Sequence, residues 1–161
     1  MPFPGIEAAY HSSSNNASAD IIAKSAIWAS LHLEKCGQGE AFNIADEART
    51  TTFHETWPAM CKYFGLVGIS PIEGGVTKVE EFEPPSVFLK KHGDVWEKAM
   101  GNGSGGAGTS EILDMFGVFL SFDMGLDVGK IRTAGFEEES DHVKSWYEVW
   151  DKFKKAGILP A

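Results

Sequence analysis

The chain has 161 residues, 43% of them apolar and 23% charged, and carries a net charge of −9. That balance suits one globular domain with a real core, and the negative charge argues against a nucleic-acid partner. No apolar run reaches the roughly 18 residues of a membrane span. The Met-Pro-Phe-Pro-Gly start lacks the basic and apolar regions of a secretory signal, so a cytoplasmic location is expected.

Residues 1–18 read as a polar, turn-rich N-terminal arm on a single domain of residues 1–161. Ser18 or Asp20 is placed to cap a first helix over residues 19–36. Ile22, Ala26, Ala29, Leu33 and Cys36 make one apolar stripe on it, and Ile21, Trp28 and His32 a second. Gly37 and Gly39 end it. The apolar run 41–45 then suits a buried strand.

Thr52 and Glu55 form a capping box that opens a second helix, with Phe53, Trp57, Met60 and Phe64 on one face. Pro58 inside it is expected to kink it or delay its start. Residues 77–82 alternate weakly and predict a second strand. A third helix is predicted over residues 86–100, with Phe88, Leu89, Val95, Trp96 and Ala99 inward.

Residues 101–125 are the centre of the reading: a glycine-rich loop feeding a nearly all-apolar helix. Gly101-Asn102-Gly103-Ser104-Gly105-Gly106 matches a dinucleotide fingerprint in letters, but it follows the end of a helix rather than a strand, so a connector is the better reading. Thr109 or Ser110 caps the helix, and Met115, Phe116, Phe119, Leu120 and Asp123 recur on one face. A helix apolar nearly all round is expected to be buried. Asp123 at the end of that stripe needs a partner or a ligand. A short helical turn before Gly135 follows. A last helix is capped by Ser140 and presents Val143, Trp146, Tyr147, Trp150 and Phe153. The count is about five helices with one or two short strands, an α+β chain that is mostly α.

Metal ligation fails on spacing. The five histidines are scattered, and His32 and His54 lack co-ligands. Cys36 and Cys61 fall on apolar faces and read as free thiols. No G-x-S-x-G elbow and no Tyr-x-x-x-Lys pair occurs.

Several segments resemble one family. Pro2-Phe3-Pro4-Gly5, the run Ala26-Ile27-Trp28-Ala29-Ser30-Leu31-His32-Leu33-Glu34-Lys35, and Gly39-Glu40-Ala41-Phe42-Asn43-Ile44-Ala45-Asp46 are similar to the fungal branch of the extended short-chain dehydrogenases related to progesterone 5β-reductase and iridoid synthase. So are the segment from Thr56 to Leu66 and the ending from Lys130 to Pro160. The resemblance covers nearly the whole chain and implies the isolated C-terminal, substrate-binding half of such a protein. The Rossmann half with its catalytic tyrosine and lysine has no counterpart here.

The resemblance therefore implies a substrate pocket without nicotinamide chemistry: no cofactor and an apolar small-molecule substrate, with no metal expected from the spacing of the histidines and cysteines. The expected activity is a cofactor-free isomerase or cyclase, such as a Diels–Alder closure, on a natural-product intermediate in fungal secondary metabolism. The alternatives are an apolar-ligand carrier, a partner subunit, or a fragment of a longer NADPH-dependent reductase. Asp123, Tyr10 and His11 are the expected catalytic handles. Met115, Phe116, Phe119, Leu120, Trp57, Met60 and Trp96 are the expected walls. A homodimer is expected, because the strand at 41–45 would leave an open apolar edge.

Overall fold

The computed structural model describes residues 1–76, 78–100 and 114–159, without the side chains of residues 79, 96, 97, 99, 100, 116 and 119. Among these the chain is mostly helical. Its α-helices are α1 (Glu7–His11), α2 (Ala19–Leu31), α3 (Leu33–Cys36), α4 (Phe53–Tyr63), α5 (Pro85–Lys91), α6 (Gly93–Met100), α7 (Gly129–Ala134) and α8 (His142–Lys155). The one sheet among the described residues has two strands, β1 (Ser13–Ser14) and β2 (Thr51–Thr52). No helix among the described residues is long and apolar enough to cross a membrane.

Among the described residues eight α-helices stand against the expected five: two predicted helices are each broken in two, α1 and the short α7 are added, and the apolar stretch gives a π-turn instead of an α-helix. The first stops at His32, whose backbone leaves the helical region at φ −124° and ψ 54°. Its ring Nδ1 donates to the Trp28 carbonyl at 2.7 Å and stacks on the Trp28 ring. The third breaks at His92, which closes α5 through the Phe88 carbonyl. Of that helix's expected inward residues, Phe88 and Val95 are exposed, while the Trp96 and Ala99 side chains lie outside the described residues.

Neither predicted strand forms. Residues 41–45 keep an alternating burial that ends at the buried Ala45, but no neighbour pairs with them, and a strand requires a ladder. Val79–Glu81 is a 3-10 turn.

The chain divides into two compact units, each assembled from segments far apart in sequence. Unit 1 holds residues 1–12, 52–122 and 146–161; unit 2 holds residues 13–51 and 123–145.

In unit 2, Ile21, Ala45, Val128, Ile131 and Phe136 form the core, with Trp28, Phe42 and Ile44 against it. The inward stripe of α2 is thus the Ile21–Trp28–His32 one, and Ile22 of the other stripe is exposed. Ser18 caps α2 by accepting from the Ile21 amide. The buried Asp46 accepts from both the Ser18 amide and its hydroxyl. Gly135 ends α7 at φ 111°, a left-handed position that suits only glycine well.

In unit 1, α4 begins at the predicted cap, where Thr52 accepts from the Glu55 amide, and runs unbroken through Pro58. Met60 and Cys61 face inward from it, whereas Phe64 is exposed. The predicted apolar helix is cut short. Met115–Phe119 is a π-turn, closed by the Leu120 amide donating to the Met115 carbonyl. The Gly117 carbonyl accepts from the Ile6 amide at 2.9 Å, so it is withdrawn from any continuing ladder. Beyond the turn, Phe122 is exposed rather than buried. The first residues of α8 belong to unit 2, where His142 and Ser145 are buried and Asp141 rather than Ser140 caps the Lys144 amide; the remainder belongs to unit 1, where Trp146 and Phe153 stay exposed.

Candidate functional site

Residues 1–12 hold α1, which packs on both α4 and the π-turn in unit 1. The first strand-like contact is a bridge between Pro2 and Ile69, with Phe3 donating to the Ile69 carbonyl at 3.0 Å. This seats Phe3, Ala9 and Tyr10 in a core cluster flanked by Ile6, Phe53 and Trp57. The Phe3 ring meets Tyr10, Phe53 and Trp57 at centroid distances of 5.3, 4.8 and 5.6 Å. Tyr10 and Trp57 are thus in one cluster, and α1 packs on both α4 and the π-turn.

Polar groups gather at the end of α1. The His11 Nε2 lies 3.1 Å from Glu7 Oε1, one turn back. A carboxylate only accepts, so Nε2 carries the proton and Nδ1 is left as the basic nitrogen. The second oxygen, Glu7 Oε2, is buried and has no hydrogen-bond donor among the described residues. Tyr10 meets both the His11 and His54 rings edge-on, at 5.2 and 5.6 Å, and the two imidazoles stack at 5.1 Å. Burial, then the charges of Glu73 and Glu7, hold the Tyr10 phenol above its ordinary value. Tyr10 therefore stays protonated at neutral pH, and a protonated phenol can donate a hydrogen bond.

The expected site residues divide between the units. Tyr10, His11, Trp57 and Met60 lie in unit 1, as do Met115 and Leu120 on and after the π-turn. The side chains of Phe116, Phe119 and Trp96 lie outside the described residues. Asp123 belongs to unit 2 and is exposed; it accepts from the Ser13 amide at 2.8 Å and the Ser13 hydroxyl at 2.9 Å, which pulls its carboxyl below the ordinary range.

Glu7 and His54 escaped the sequence reading. The i, i+4 spacing of Glu7 and His11 was the available signal for the first. Nothing local marks His54, which reaches Tyr10 and His11 only through the packing of α1 on α4.

A family model described as the PRISE-like Rossmann-fold domain matches residues 1–160. The chain belongs to this family. It is 28% identical to the short chain dehydrogenase sirR of Leptosphaeria maculans over its whole length, covering 42% of that protein. It is 25% identical to the short chain dehydrogenase ausT of Aspergillus calidoustus over 99% of the chain and 39% of the relative. It is 26% identical to the (S)-8-oxocitronellyl enol synthase ISY1 of Nepeta cataria over 99% of the chain and 40% of the relative. The chain thus spans about two fifths of the length of these curated relatives.

A Rossmann-type family implies a dinucleotide, whose pyrophosphate sits on a free helix N-terminus. Four of the eight described helix starts are filled otherwise. Ser18 and Asp46 occupy that of α2, Thr52 that of α4, Asp114 that of α5 through Ser86, and Asp141 that of α8. Three of these four carry a carboxylate, which repels a phosphate. These four helix starts do not fit the group. The Gly101–Gly106 motif lies outside them.

Proposed function

We propose that this chain acts on an apolar, carbonyl-bearing natural-product intermediate and rearranges it without a redox cofactor, as an isomerase or cyclase. The single observation that carries this is the Glu7–His11–Tyr10–His54 cluster set against the Phe3, Phe53 and Trp57 rings. His11 takes a proton from the carbon beside the carbonyl through Nδ1, with Glu7 holding the imidazole from the other side. Tyr10 donates to the carbonyl oxygen as negative charge develops there. Return of the proton to a different carbon gives an isomer. Attack of the enol carbon on a second group closes a ring. Both outcomes are redox-neutral. Glu7 Oε2 suits a hydroxyl on the substrate, because it is a buried acceptor without a donor among the described residues. Met60, Met115 and Leu120 extend the apolar wall, with Phe116, Phe119 and Trp96 as further candidates from sequence. Asp123 is left out of this mechanism, since its carboxylate serves Ser13.

Extraction of the purified protein followed by mass spectrometry tests this reading. A co-purified apolar carbonyl compound that the protein converts to an isomer of equal mass is expected. A ligand bound and released unchanged would instead mark a carrier.

A second reading rests on the coverage of the relatives. The chain matches about two fifths of each short chain dehydrogenase, which suits the C-terminal, substrate-binding part of a longer NADPH-dependent reductase. An in-frame Rossmann half upstream in the transcript would favour it.

A further inference from the structure

Three of the five histidines commit a ring nitrogen to the fold: His11 to Glu7, His32 to the Trp28 carbonyl and His142 to Glu47. His54 commits neither nitrogen among the described residues. It stands second in α4, whose start is pinned by the Thr52 cap and by Phe53 against the Phe3 ring. Its own ring makes ring contacts alone, edge-on to Tyr10 at 5.6 Å and stacked on His11 at 5.1 Å. His54 and His11 are both exposed, whereas Tyr10 between them is buried. An imidazole held by its ring, with both nitrogens unspent and water at hand, is equipped to take up and release protons.

The isomerisation described above leaves one step without a residue. His11 removes a proton beside the carbonyl, but no group has been assigned to return one to a different carbon. Resting on that reading, we propose that His54 is the second acid–base residue of the site, and that the substrate is a β,γ-unsaturated carbonyl compound. The His11 and His54 rings lie within 30° of parallel on the adjoining helices α1 and α4, which suits two carbons of one flat conjugated unit. His11 enters neutral and His54 protonated. His11 Nδ1 takes the proton from the α carbon. The released C–H pair forms the α,β double bond, and the carbonyl π pair moves onto oxygen, where Tyr10 donates its hydrogen bond. As the carbonyl re-forms, the β,γ π pair takes the proton of His54 at the γ carbon. The double bond has moved into conjugation, substrate and product are isomers, and nothing is oxidised or reduced. His11 ends protonated and His54 neutral, and water carries a proton between the two exposed rings to restore the start. A single base would instead carry the substrate's own hydrogen from one carbon to the other.

The probe is β,γ-cyclohexenone in heavy water, with deuterium uptake beside the carbonyl of citronellal measured alongside as the readout of the His11–Tyr10 step. The wild type is expected to form the conjugated ketone with solvent deuterium at the γ carbon in a single turnover. His54→Gln keeps a polar side chain without a titrating nitrogen. It should melt at the wild-type temperature, since the position is exposed. It should form the ketone about 100-fold more slowly, and the residual product should hold hydrogen from the substrate. Two results would overturn the role of His54 alone, given normal citronellal exchange by the wild type. They are a wild-type product that keeps the substrate's own hydrogen at the γ carbon, and an isomerisation rate unchanged in His54→Gln. A wild type that exchanges citronellal but leaves β,γ-cyclohexenone untouched would overturn the substrate class. A wild type that does neither would overturn the inference together with the reading it rests on.

Discussion

Asp46 grips Ser18 at two points, accepting from its amide at 2.9 Å and from its hydroxyl at 2.6 Å. The same grip recurs between Asp114 and Ser86, and between Asp123 and Ser13. Each aspartate fixes the chain where an element begins: α2, α5 and β1. The three differ in burial. Asp46 is among the most buried side chains of the protein, whereas Asp123 is exposed.

Burial sets the first prediction. Asp46→Ala strips the Ser18 amide and hydroxyl of their acceptor inside unit 2 and should cost about 2–3 kcal/mol in urea unfolding. Asp46→Asn keeps an acceptor oxygen and should cost about 1 kcal/mol. Equal, negligible losses in both would show that the grip contributes nothing.

The π-turn gives the second. A Cβ on Gly117 would stand 2.3 Å from the Pro4 carbonyl oxygen and 3.0 Å from the Gly5 Cα, both backbone atoms. Gly117→Ala should therefore destabilise the protein by roughly 1–3 kcal/mol through overpacking. Gly93→Ala, with open space around its Cβ, is the control and should be neutral or stabilising. A thermal melt of both variants decides.

Tyrosine titration supplies the third. The Tyr63 hydroxyl donates to Asp151 Oδ1 at 2.5 Å, and this bond, then burial, pushes its pKa up to about 12. The folded value lies above the unfolded one. Its contribution to stability is thus fully present below pH 10 and is lost as pH rises through about 12. Absorbance at 295 nm should show a late-titrating tyrosinate that disappears in Tyr63→Phe. An unchanged titration curve in that variant would remove the assignment.

The two thiols provide the fourth. Cys61 is buried and its thiol is raised by that burial, whereas Cys36 is half-buried. A thiol reagent should label Cys36 in the native protein and Cys61 only on unfolding. Equal native rates would contradict the packing of α4.

Signals local in sequence were the legible ones. The caps at Ser18 and Thr52 and the stop at Gly135 are set by neighbours within four residues, and each stands where its residue type requires. The breaks at His32 and His92 were not legible, since a histidine is an ordinary helix residue until its own bonds say otherwise. The π-turn was hidden for a different reason: Gly117 meets Ile6, 111 positions away. The candidate site was half visible. Tyr10 and His11 were expected from the sequence, but Glu7 was not, and His54 stood only as a histidine without co-ligands until α1 packs on α4.

Deuterium uptake by citronellal, an apolar aldehyde, tests the central claim most directly. The protein is incubated in heavy water with no nicotinamide present, and label at the carbon beside the carbonyl is followed by mass spectrometry. The wild type should exchange that position well above the buffer rate. Tyr10→Phe and His11→Ala should each slow exchange by about 100-fold or more, as loss of a placed acid or base does, while both variants stay folded. Exchange no faster than in buffer, or unchanged rates in both variants, would contradict the assignment of proton transfer to the Tyr10–His11 cluster.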